Sequence, residues 1–166
     1  MTVFREQLLP WPGHVHQHPN PVGRRNSRRT PSVPELLASP VVQQALNSAW
    51  LNSRVNDVRL YHEEGGWIYL SPTTGEVGVQ VARIGTHSEI DLNSPPHWEG
   101  MVVVATYHTH PNRAGPGPDE RDYRLSIERG VPGIIRAANG IHIYGLEARR
   151  GPWPPPRGGS EFAPVP

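Results

Sequence analysis

The chain has no cysteine and no lysine among its 166 residues. The first absence excludes disulfides and thiolate metal ligands, and leaves the redox compartment open. The second means that all 16 cationic side chains are arginine, a bias that a GC-rich genome produces together with abundant Pro, Gly and Ala. Long apolar runs are missing as well. No stretch approaches the roughly 20 residues of a membrane span, and no charged-then-apolar-then-small pattern marks a secretory leader. A cytoplasmic protein without a membrane partner is therefore expected. The formal net charge of +1 argues against nucleic acid as the main partner.

What is plentiful is Pro (20) and Gly (17), and the prolines concentrate at the two ends. That predicts a disordered arm over 1–31, one folded domain over 32–150 and a mobile Pro-rich tail over 151–166. The arm holds His14-Val15-His16-Gln17-His18 and the run Arg24-Arg25-Asn26-Ser27-Arg28-Arg29. Without a packed scaffold the histidines read as adventitious. The arginines, with no aromatic interleaved, read as a solvated segment.

The informative stretch is Met101-Val102-Val103-Val104-Ala105-Thr106-Tyr107, running into His108-Thr109-His110-Pro111. An unbroken apolar, β-branched run predicts a strand buried on both faces. Side chains two apart on a strand point the same way, so His108 and His110 leave one face together and can converge on one cation. Pro111 lacks the N–H that continued pairing needs, and Asn112 to Pro118 is a Gly/Pro loop. Asp119 to Arg129 reads as a helix, with acids in its first turn and Gly130 at its C-terminal cap. Its first turns offer Asp122. A two-His, one-carboxylate set with one position left open is what hydrolytic zinc needs.

Upstream, Ser39-Pro40 predicts a helix start, and Val41, Val42, Ala45, Leu46, Ala49 and Trp50 recur on one apolar face, Trp50 as a core residue. Asp57 to Ala82 reads as a meander of three strands, Val58–His62, Gly66–Leu70 and Val77–Ala82. Glu63-Glu64-Gly65-Gly66 lies between the first two, its glycines permitting close backbone approach by a substrate strand or a water. Residues 83–100 form a connection in which His87 and His97 are loop residues. Downstream, Val131–Arg136 and Gly140–Tyr144 make a hairpin around Asn139-Gly140, and His142 is structural. The fold class is α/β.

His108-Thr109-His110-Pro111, followed by Asp119-Glu120-Arg121-Asp122, resembles the signature of the JAMM (MPN+) zinc metalloproteases: a Glu, then His-x-His-Pro, then Ser-x-x-Asp. Two departures stand out. Eight residues separate His110 from Asp119, one more than the commonest family spacing, and Asp119 occupies the usual Ser position. The resemblance implies a curved, mostly antiparallel sheet flanked by helices, related to the cytidine deaminases. It implies Zn2+ held by His108, His110 and Asp122, with Asp119 as the substitute third ligand. It also implies a catalytic Glu three residues before a Gly, which is Glu63, with Glu64 as the alternative. In the family the Ser hydrogen-bonds the oxyanion, so Asp119 must be protonated, turned away or replaced by another donor. The implied substrate is a peptide or isopeptide bond at the C-terminus of a ubiquitin-like protein. A chain without lysine would offer such conjugation systems no acceptor amine. JAB-like toxin or defence-system peptidases share the same order of motifs, and a catalytically weak MPN-type scaffold is the non-enzymatic alternative.

Overall fold

The computed structural model describes residues 30–146. The readings of the arm, with its histidine and arginine runs, and of the 151–166 tail lie outside the described residues, apart from the arm's last two positions. Helix α1 (Val33–Leu37) opens on a capping box, in which Ser32 N–H donates to Glu35 Oε2 at 2.6 Å and Glu35 N–H returns to Ser32 Oγ. Helix α2 (Pro40–Asn52) starts with proline where its missing N–H costs nothing. It buries Val42, Ala45, Leu46 and Ala49 at helical spacing. Trp50 is only partly buried. Rather than filling the core it sits at its margin, with the Arg136 guanidinium 5.3 Å from its ring centre.

Five strands form one sheet in the order β2-β1-β3-β4-β5: β1 Gly65–Leu70, β2 Val77–Val81, β3 Val102–His110, β4 Gly133–Ala137 and β5 Gly140–Tyr144. Every pairing is antiparallel except β3 with β4, and helix α3 (Glu120–Arg129) lies on the crossover between those two. The molecule is thus an α/β protein with a mostly antiparallel sheet. The nine-residue β3 is its centre, buried from Val104 to Thr109, which accounts for the unbroken apolar run in its sequence.

On one face, Ile68, Leu70, Val79, Tyr107 and Ile134 pack under α1 and α2. On the other, Trp67 and Tyr69 are covered by the 82–101 connection through Ile90 and Leu92. Trp67 Nε1–H donates to Leu92 O at 2.9 Å, and Tyr69 O–H to Pro96 O at 2.6 Å. Aromatic side chains with a polar tip thus pin the long connection down at Leu92 and at Pro96.

Two expectations need correction. Val58–His62 is not a strand. Asp57 Oδ1 accepts from Arg59 N–H at 3.0 Å and Asp57 O from Tyr61 N–H at 2.9 Å, closing a turn that leaves Val58 82% exposed. An Asp that bonds its own backbone two residues on competes with the ladder. The sheet therefore begins at Gly65, one residue before the expected strand start, and both glycines lie inside β1. The close approach that these glycines permit is to the neighbouring strands. A Cβ at Gly65 would strike Tyr107 O of β3, and one at Gly66 would strike Gln80 O of β2.

Candidate metal centre

β3 delivers His108 and His110 to one face at its C-terminal end, and the parallel crossover brings the start of α3 back over them. Their Nε2 atoms lie 3.0 Å apart. Asp122 stands one turn into α3, with Oδ1 3.3 Å from His108 Nε2 and Oδ2 3.5 Å from His110 Nε2. Glu63, just before β1, places Oε1 3.9 Å from His110 Nε2. The candidate ligand atoms of Glu63, His108 and His110 all fall within 4.8 Å of one another, a spacing that could hold a metal ion. All four residues expected at the centre meet there. Glu63 is the most distant of the four, yet its carboxylate still lies within a ligand's reach of the histidine nitrogens.

Several local devices fix these groups. His110 Nδ1 lies 3.0 Å from Gly117 O. A carbonyl only accepts, so Nδ1 carries the hydrogen, and in the neutral ring Nε2 keeps its lone pair for the cluster. Asp119 caps α3. Its Oδ1 accepts from Asp122 N–H at 2.9 Å, and Asp119 N–H donates to Asp122 Oδ2 at 3.0 Å. The residue in the family's Ser position thus holds the Asp122 carboxylate in place, and its own carboxylate is turned into the cap. Gly130 ends the helix in the left-handed conformation at φ 72°.

Of the two consecutive acids only Glu63 reaches the cluster. Glu64 Oε1 lies 2.9 Å from His62 Nε2 on the α2 side of the sheet, in a small cavity lined by Ala45, Ala49 and Tyr107. The remaining histidines among the described residues lie elsewhere. His87 packs on the Tyr61 ring at 4.6 Å, His97 is exposed, and His142 Nε2 meets Asn139 Oδ1 at 2.7 Å.

Electrostatics separate the two carboxylates at the centre. Burial pushes the Glu63 carboxyl up to about 7, against the pull of the neighbouring His108. Burial also raises Asp122, but the His108 hydrogen bond and charge, the Asp119 N–H and His110 outweigh it, leaving Asp122 below the usual carboxylate range. Burial, reinforced by His108, holds His110 below the ordinary imidazole value. Two imidazole nitrogens 3.0 Å apart with a carboxylate against both is an arrangement that a shared cation relieves. The nitrogens and oxygens on offer suit zinc, with no thiolate needed. His108 Nδ1 is buried without a hydrogen-bond partner.

The centre lies in a cleft between α3 and the 82–101 connection, with Leu125 and Arg129 on one wall and Ile90 and Leu92 on the other. Arg121 and Glu89 form an ion pair across it, and Arg129 Nε–H donates to Asn93 Oδ1 at 3.1 Å. Sequence reasoning missed this second wall, because nothing in residues 83–100 announces which side chains turn inward. It also missed the reciprocal cap, although an acid three residues after another at a helix start is a legible signal. No helix of the described residues is long and apolar enough to cross a membrane. No family model, curated protein or solved structure matches the chain.

Proposed function

We propose that this domain is a zinc-dependent hydrolase of the JAMM kind, cleaving a peptide or isopeptide bond at the C-terminus of a ubiquitin-like protein. The observation that carries the reading is the meeting of the His108 and His110 Nε2 atoms with Asp122 and Glu63 at the carboxyl end of β3. The order of those residues along the chain, Glu then His-x-His-Pro then Asp on a helix, supports it independently of the distances.

His108, His110 and Asp122 would hold the ion. When bound, zinc supplies Lewis acidity toward a carbonyl and makes a water easier to deprotonate at neutral pH. Glu63 accepts the proton that the attacking water loses and returns it to the leaving nitrogen. The hydrogen bond from His110 Nδ1 to Gly117 O holds the ring in the tautomer that a ligand needs. Asp119 keeps the Asp122 carboxylate aimed. Because the Asp119 carboxylate is an acceptor, the oxyanion donor that the family takes from Ser must come from another group. Turnover without it should be slow, since losing one such donor costs roughly 3–4 kcal/mol in other hydrolases.

The test is incubation of the full chain with ubiquitin-like conjugates and linear fusions. Cleavage that a chelator abolishes and zinc restores is the expected result. No cleavage, together with less than about a tenth of an equivalent of zinc in purified protein, would return the domain to the scaffold class.

A further inference from the structure

Thr109, the residue between the two histidines, faces the opposite side of the sheet. It is fully buried, as is Ser53 at the end of α2. A β-branched residue is at home in a strand, but a hydroxyl in that apolar layer is costly unless its bonds are made. Here they are. Glu64 N–H donates to Thr109 Oγ1 at 3.0 Å. The Thr109 hydroxyl hydrogen is then free for Ser53 Oγ at 2.5 Å, and Ser53 Oγ–H goes on to Ala49 O at 2.8 Å. Each hydroxyl gives one hydrogen and accepts one, so the chain has a single direction. Thr109 N–H also donates to Glu64 O at 2.9 Å. A regular antiparallel pair would return Glu64 N–H to the Thr109 carbonyl, but the side-chain oxygen takes it instead. One residue earlier the backbone of Glu63 leaves β3 and pairs with the connection, through Thr86 O and Gly85 N–H, each at 2.8 Å.

We propose that Thr109 is a positioning residue for the metal centre: its hydroxyl, anchored on Ser53, sets where the chain turns from Glu64 to Glu63, and so holds the Glu63 carboxylate against the histidine pair from behind the sheet. The inference rests on the metal-centre reading above. The experiment is Co2+ titration of the full-length apo-protein, followed by visible absorption, for wild type, Thr109→Val, Thr109→Ser and Ser53→Ala, with thermal unfolding of the same samples. Thr109→Val keeps the shape and removes the hydroxyl. Its Co2+ affinity is expected to fall about 10-fold or more, within the range of other outer-shell changes, with an altered Co2+ spectrum. Thr109→Ser is expected within about threefold of wild type, and Ser53→Ala between the two. A folded Thr109→Val protein with wild-type affinity and spectrum, showing only a lower melting temperature, overturns the proposal. So does a Thr109→Ser protein no better than Thr109→Val. Wild-type protein that takes up no Co2+ instead removes the metal centre itself, an outcome distinguishable from both.

Discussion

The two faces of β3 are built for different ends. Toward α2 it presents Tyr107 and Thr109 to a layer of Val, Leu, Ile and Ala side chains, where the Thr109 hydroxyl is bonded to Ser53 and to the Glu64 N–H. Toward α3 it presents His108 and His110 to two carboxylates, with His108 Nδ1 buried and unpartnered. The first face is satisfied in the protein alone; the second gathers polar groups whose mutual proximity is costly until a cation joins them. Thr109 apart, stability and chemistry thus share a strand without sharing side chains, and substitutions elsewhere on the two faces should separate them.

The largest separation is expected from His110→Ala. Metal affinity should fall by more than about a hundredfold, beyond the effect of outer-shell changes, as read by chelator competition. Glu63→Gln should lower hydrolysis of a conjugate substrate by about 10²–10⁴ and weaken metal binding by about 10-fold or more, with metal content still near one equivalent. If hydrolysis survives there and is lost in Glu64→Gln, the base has been assigned one residue too early. On the other face, Ile134→Ala removes a fully buried side chain. It should cost about 2–5 kcal/mol in denaturant unfolding, with metal uptake per folded molecule unchanged. A comparable loss of uptake would show the faces to be coupled through the sheet. The smallest effects belong at the junction between face and helix. Asp119→Ala should cost about 0.5–2 kcal/mol for the lost cap. Asp119→Ser, which still caps, should leave stability within a few tenths of a kcal/mol. By supplying a hydroxyl donor, the Ser variant should raise turnover above wild type.

Which parts of this were legible beforehand follows from the range of the forces involved. His108, His110 and Asp122 were readable because strand alternation, a proline stop and a helix start are local rules. The α2 helix and most strands were readable for the same reason. Val58–His62 was misread because its alternation imitates a strand, whereas the Asp57 side chain decides the turn. Gly65 and Gly66 were assigned to a substrate approach that the neighbouring strands occupy. Trp50 is expected in the core, but it is only partly buried, with the Arg136 guanidinium of β4 over its ring. The cleft wall from Ile90 and Leu92 and the Ser53–Thr109 contact depend on chain segments far apart in sequence. Periodicity carries no signal of either.

The length of the segment from Pro111 to Pro118 does more than span a gap. By arriving at one ring nitrogen with the Gly117 carbonyl, it decides which side of the His110 imidazole stays bare. A change of length that moved this carbonyl away would remove the hydrogen bond that fixes the tautomer. The ring is then free to carry its hydrogen on the inward side and close itself to a cation. Counting residues in a surface loop becomes, at this end of β3, a way of writing an acid–base instruction.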